Sequence, residues 1–136
     1  MGQMHRSAAT LRILGDDLVP AEISSLLGCA PTVAHKKGEV LTGKNTGIER
    51  IARTGMWRLQ SADQEPENLD GQIEEILKKV TRDIETWQAL AGRFRVDLSR
   101  GLFMSGGNQG LAISRGTLLA LGQRGIELAL DVYASH

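Results

Sequence analysis

Phe94-Arg95-Val96-Asp97-Leu98-Ser99 decides the fold. Apolar and polar residues alternate strictly, which is the period of a strand with one buried face and one wet face. Phe94, Val96 and Leu98 point inward on this reading, and Arg95, Asp97 and Ser99 outward. The same one-sided pattern recurs at Ala9–Leu14, with Leu11 and Ile13 inward, and at Met56–Gln60, where Trp57 and Leu59 share a face. At Ile126–Tyr133, Ile126, Leu128, Leu130 and Val132 oppose Glu127, Ala129, Asp131 and Tyr133. A shorter strand runs from Pro31 to His35. Strands that are apolar on one face only belong to a mostly antiparallel sheet covered on one side.

Helical spacing fills the intervals. Pro20, preset for a first helical turn, leads into Ile23, Leu26 and Leu27, and Gly28 supplies a stop. Leu69, Ile73, Ile76, Leu77, Val80, Ile84 and Trp87 form one stripe, with Asn68 as N-cap and Gly92 as terminator. Read as one helix over 69–91, the stripe is about 34 Å long. Ser114 caps a further helix carrying Leu118, Leu119 and Leu121, ended by Gly122 and Gly125. Strand, polar turn and capped helix thus occur twice, at 9–28 and 94–122. The expected fold is α+β: a mostly antiparallel sheet with helices packed on one face. Its ferredoxin-like-related β-α-β halves surround a long central helix.

Composition bounds what such a domain can do. The chain has 136 residues, 41% hydrophobic and 24% charged, in keeping with one ordered domain over 9–136 behind a flexible N-terminus at 1–8. Sixteen Lys and Arg balance sixteen Asp and Glu, whereas binding to nucleic acid or anionic lipid favours a basic excess. No nucleic-acid or membrane partner is therefore expected. One cysteine excludes an internal disulfide, and no targeting segment stands out, so the expected location is cytoplasmic.

Residues 36–55 carry Gly38, Gly43, Gly47 and Gly55, with Lys36, Lys37, Lys44, Arg50 and Arg53 outweighing Glu39 and Glu49. This reads as a long basic excursion, mobile unless a partner orders it. Within it, Gly38-Glu39-Val40-Leu41-Thr42-Gly43-Lys44-Asn45 nearly fits a phosphate-binding loop, whose backbone N–H groups and lysine hold phosphates. Asn45 stands where the magnesium-binding hydroxyl is required. Gly43, Lys44 and Asn45 are thus the candidate residues for a phosphorylated ligand or nucleotide, in an enzyme or sensor reading.

Other catalytic and metal patterns are weaker. Asp16 and Asp17 precede a helix, where carboxylates oppose its positive end. His35 reads as a surface or edge residue, and Cys29 has no His or Asp nearby in sequence to activate it. Trp57 and Trp87 fall in phase with the core. No catalytic residue, metal ligand or cofactor is assigned.

The informative constellation is the outward strand face: Arg12, Arg58, Arg95, Asp97, Ser99, Glu127, Asp131 and Tyr133. Arginine and tyrosine bring bidentate bonding and amphipathic area to protein interfaces. Arg12, Arg58, Arg95, Asp97, Asp131 and Tyr133 are therefore the candidate partner-binding residues of a non-enzymatic domain. Its partner is another protein or a second copy of the chain.

In order along the chain stand Gly15-Asp16-Asp17-Leu18, Pro20, Glu22-Ile23, Leu27-Gly28, Pro31-Thr32, Lys37-Gly38, Gly55-Met56-Trp57-Arg58-Leu59, Val96-Asp97-Leu98 and Leu128-Ala129-Leu130-Asp131-Val132-Tyr133. From about residue 9 to 134 this resembles a bacterial family catalogued as domain of unknown function 4279. The resemblance implies a compact intracellular α+β domain and brings no activity or catalytic residues. It associates the chain with small bacterial proteins that neutralise toxins by binding them.

Overall fold

The computed structural model describes residues 8–62, 68–103 and 111–133, with Phe103 described by its backbone alone. The N-terminal residues 1–7, His136 and the glycine-rich stretch 105–110 lie outside the described residues. The chain order is β1 (Ala9–Gly15), α1 (Pro20–Leu27), β2 (Val33–His35), β3 (Val40–Thr42), β4 (Glu49–Ile51), β5 (Gly55–Gln60), α2 (Leu69–Lys79), α3 (Ile84–Arg93), β6 (Arg95–Phe103), α4 (Arg115–Gln123) and β7 (Glu127–Tyr133).

Five strands form one sheet in the order β2-β5-β1-β6-β7. The β2/β5, β5/β1 and β1/β6 pairs are antiparallel, and β6/β7 is parallel. Two successive antiparallel pairings make β1 parallel to β2 with β5 between them, and β5 parallel to β6 with β1 between them. These interleaved split units are the β-α-β-β-α-β ferredoxin-like arrangement. Helix α4 and strand β7 extend it beyond β6, and the β3/β4 hairpin interrupts the β2-to-β5 connection. The expected α+β class is the class observed.

Alternation puts Leu11, Ile13, Trp57, Leu59, Val96 and Leu98 on one face, in a single buried cluster with Ile23 and Leu27 of α1, Leu69, Ile73 and Ile76 of α2, Trp87 and Leu90 of α3, and Leu121 of α4. Each fully buried Leu or Ile contributes roughly 1.5–3 kcal/mol, so this shared core holds every helix to the same side of the sheet. The two indoles fix the layer polarly as well. Trp57 Nε1 donates to Ser24 Oγ at 3.0 Å, and Trp87 Nε1 donates to the Thr81 carbonyl at 2.8 Å.

The single helix expected over 69–91 is two helices. Val80 is extended (φ −113°, ψ 164°) yet still buried, and Asp83 opens a new helix by accepting from Thr86 N at 3.3 Å. Thr86 Oγ1 donates to the same carboxylate at 2.6 Å, and Asp83 N donates to Thr81 Oγ1 at 3.2 Å. Side chains that offer the backbone local partners compete with helix continuation. Thr81 N turns instead to the Leu27 carbonyl at 2.9 Å, tying the corner to the end of α1.

Two further expectations change. The 36–55 excursion is an ordered hairpin, with Val40 opposite Ile51 and Thr42 opposite Glu49. The β7 apolar stripe shares the core face, but Leu130 and Val132 are exposed, as are Leu118 and Leu119 of α4. His35, expected at the surface or on an edge, lies on the edge strand β2 and is buried there.

Gly55 is where the backbone admits no side chain. A Cβ there would lie 2.8 Å from the Gly15 carbonyl oxygen and 2.9 Å from Leu18 Cβ, so glycine permits the β1/β5 end and the turn after β1 to approach.

Candidate functional site

The register lines up the outward residues in transverse rows. Arg58 pairs with Arg12, Arg12 with Asp97, and Asp97 with Glu127, making one row across β5, β1, β6 and β7. The next row contains His35, Met56, Leu14 and Arg95. All lie opposite the helix-covered face, because their row neighbours Leu11, Trp57 and Leu98 are in the core.

Charge is distributed unevenly along this face. Arg12 donates through Nε to Asp97 Oδ1 and through Nη2 to Asp97 Oδ2, each at 2.8 Å, a bidentate pair. Those hydrogen bonds raise the Arg12 pKa, with burial acting in the opposite sense and the Asp97 charge adding to the rise. Arg95 Nε stands 3.7 Å from Asp97 Oδ2, and Arg95 Nη2 stands 3.8 Å from Glu127 Oε1. Asp97 is thereby enclosed, its side chain 0% exposed on a face that no described helix covers.

Arg58 differs from its neighbours. Cross-strand contact places it between Arg12, already committed to Asp97, and Val33, which is apolar. Its Nε is shielded from solvent and has no hydrogen-bond acceptor among the described residues. Beside it, Val33, Met56 and Leu14 give the β2–β5–β1 half of the face an apolar strip.

The β7 end has the opposite character. Glu127 and Asp131 are exposed there, and Tyr133 Oη donates to Asp131 Oδ2 at 3.0 Å. That hydrogen bond, together with the Asp131 charge and slight desolvation, raises the phenol pKa above its ordinary 10.0. The six candidate partner-binding residues therefore share a face without forming one cluster. Arg12, Arg58, Arg95 and Asp97 are contiguous, whereas Asp131 lies four residues beyond Glu127, about 13 Å along the strand.

The other candidates lie elsewhere. Gly43, Lys44 and Asn45 sit at the tip of the β3/β4 hairpin, where Gly43 N donates to the Ile48 carbonyl at 2.8 Å and Gly47 N to the Gly43 carbonyl at 2.9 Å. A phosphate-cradling loop leads from a strand into a helix. Here the loop leads from one strand into another, and its amides at Gly43 and Gly47 are used in closing the turn. Cys29 is half-buried, its thiol donating to the adjacent Ala30 carbonyl at 3.4 Å. Asp16 pairs with Lys37 at 3.2 Å. The Thr54 side chain and Lys37 hold its carboxyl below the usual range. Among the described residues no three His, Cys, Asp or Glu side chains are grouped to hold a metal ion. No described helix is long and apolar enough to cross a membrane.

His35, read in the sequence as a surface or edge residue, follows Val33 on β2 at the spacing of two that keeps a strand face, and the register sets it beside Met56. One residue went unremarked in the sequence. Arg100 continues the inward phase of Val96 and Leu98, and is buried with Nε donating to Gln72 Oε1 at 3.0 Å.

With the sheet face, its charge row and the ordered hairpin in place, the family is decided by the sequence profile matching residues 3–135, nearly the whole chain. The chain belongs to the family described as Domain of unknown function (DUF4279). The DUF4279 match spans every described element, from β1 to β7. No curated protein and no solved structure matches the chain.

Proposed function

We propose that this DUF4279 domain is a non-enzymatic protein-recognition module that docks a partner on the helix-free sheet face. The carrying observation is Arg58: a guanidinium with a shielded, unsatisfied Nε beside a partly exposed apolar strip on an uncovered face. A shielded donor without an acceptor costs roughly 1–3 kcal/mol, which a partner's carboxylate recovers when the guanidinium turns to meet it. Arginine beside apolar surface is also the composition of interface hot spots. The partner is a protein presenting acidic groups toward Arg58 and basic groups toward Glu127 and Asp131. The free Cys29 fits a reducing, cytoplasmic setting.

The bipolar face also suits a two-fold pairing of copies, in which the Arg58 end of one meets the Asp131 end of the other. Capture from native cells with wild-type and Arg58→Glu/Asp131→Arg bait, quantified by mass spectrometry, tests the reading. A specific partner lost by the double variant supports it, and identical recovery overturns it. Sedimentation of the purified wild-type chain distinguishes a foreign partner from a second copy.

A further inference from the structure

We propose that the groove between α2 and α4, on the helical side of the domain, is a second binding site, which takes a small organic anion with its phosphate or carboxylate between Arg82 and Arg124. The proposal is independent of the sheet-face reading. The groove has a volume of about 400 Å³ and is lined in part by Ile73, Leu77 and Ala120. That size falls in the range of small-molecule sites, roughly 300–1,000 Å³.

Two of its three cations are not matched by acids among the described residues. Lys78 on the rim pairs with Glu74 at 3.6 Å. Arg82 and Arg124 make no ion pair with any described carboxylate. Arg124 Nη1 donates to the Ala120 carbonyl at 2.9 Å, as suits a cation at the C-terminus of α4. Its Nε, by contrast, is shut off from solvent and has no acceptor among the described residues. Desolvation, with the like charge of Arg82 adding to it, lowers the Arg124 pKa. The helix terminus thus accounts for Nη1 and leaves Nε and the neighbouring Arg82 unexplained.

An oxyanion answers both once the Arg124 side chain turns toward the groove, because a guanidinium fork bonds phosphate or carboxylate in a bidentate manner and a second cation neutralises the remaining charge. The opposite end of the groove is already satisfied. Ser114 Oγ accepts from Thr117 N at 3.2 Å, and Asp70 accepts from Ser114 N at 3.1 Å. The anion therefore sits at the Arg82/Arg124 end, and the apolar body of the ligand lies along Ile73, Leu77 and Ala120.

Amide chemical-shift titrations with phenyl phosphate, benzoate and inorganic phosphate, each up to about 10 mM, test the site at the weak end of measurable affinity. Phenyl phosphate or benzoate is expected to shift amides at 73–82 and 117–124, the aromatic anion that binds doing so more tightly than inorganic phosphate. Which of the two binds identifies the anionic group. Arg82→Gln and Arg124→Gln are each expected to weaken binding at least tenfold. Arg82 makes no hydrogen bond or ion pair in the described structure, so its variant reports on binding even if Arg124→Gln frays α4. No shifts from any probe, shifts confined to the 43–48 hairpin turn, or unchanged affinity in Arg82→Gln would overturn the proposal.

Discussion

Arg12 and Asp97 face each other across β1 and β6 and are joined by two hydrogen bonds of 2.8 Å on a sheet face that no described helix covers. Two arginines, Arg12 and Arg95, converge there on one enclosed carboxylate. Asp97→Ala removes the acceptor for Arg12 and leaves Arg12 beside Arg58 as adjacent uncompensated cations. The expected loss is about 2 kcal/mol in denaturant unfolding, below the deep-core range because Arg12 keeps some exposure. Asp97→Asn fills the same space, retains one acceptor oxygen and is expected to cost less than Asp97→Ala.

At the opposite end of the same face, Asp131 raises the pKa of the only tyrosine. A raised native value means that the pairing contributes stability below pH 10.0 and loses it as the pH climbs through the native value. Tyrosinate absorbance therefore develops above pH 10.0 in the wild type and shifts back toward that value in Asp131→Asn. Identical titration curves contradict the contact.

Asp83 separates the two central helices. Asp83→Ala removes the acceptor for Thr86 N and is expected to cost about 1 kcal/mol, the usual loss of an N-cap. A continuous 69–91 helix predicts the reverse, since alanine favours helix interiors. Thermal unfolding decides between them.

Gly55→Ala sets a methyl against the Gly15 carbonyl and Leu18, both held by backbone. Overpacking of this kind costs roughly 1–3 kcal/mol. Gly28→Ala, with open space around the position but a φ of +71°, is expected to cost about 1 kcal/mol, the penalty of the left-handed conformation alone. Denaturation midpoints of the two variants separate steric from conformational loss.

The sheet was legible because alternation is a strong, local signal: Phe94–Ser99 and Met56–Gln60 each declare which side chains face the core. From that came the placement of Arg12, Arg58 and Arg95 on a common face. The α2/α3 corner was hidden, because Val80 stays buried and keeps the apolar stripe in phase while the backbone leaves the helix. Only Thr81 and Asp83 carried the break, through hydrogen bonds whose geometry a one-dimensional pattern does not contain. The hairpin at 40–51 was missed for a different reason. Its strands are three residues each, too short for a periodicity. The pairing of Arg12 with Asp97, 85 residues apart, depends on a register that no local pattern sets.

The central claim, docking on the helix-free face, is tested most directly by site-specific photocrosslinking in native cells. One photoreactive residue replaces Gln60, exposed on β5 in that face, and in a second protein one replaces Gln88, exposed on α3. Crosslinks to a defined protein from position 60 and none from position 88 are the predicted result. Crosslinks from 88 with none from 60 contradict it.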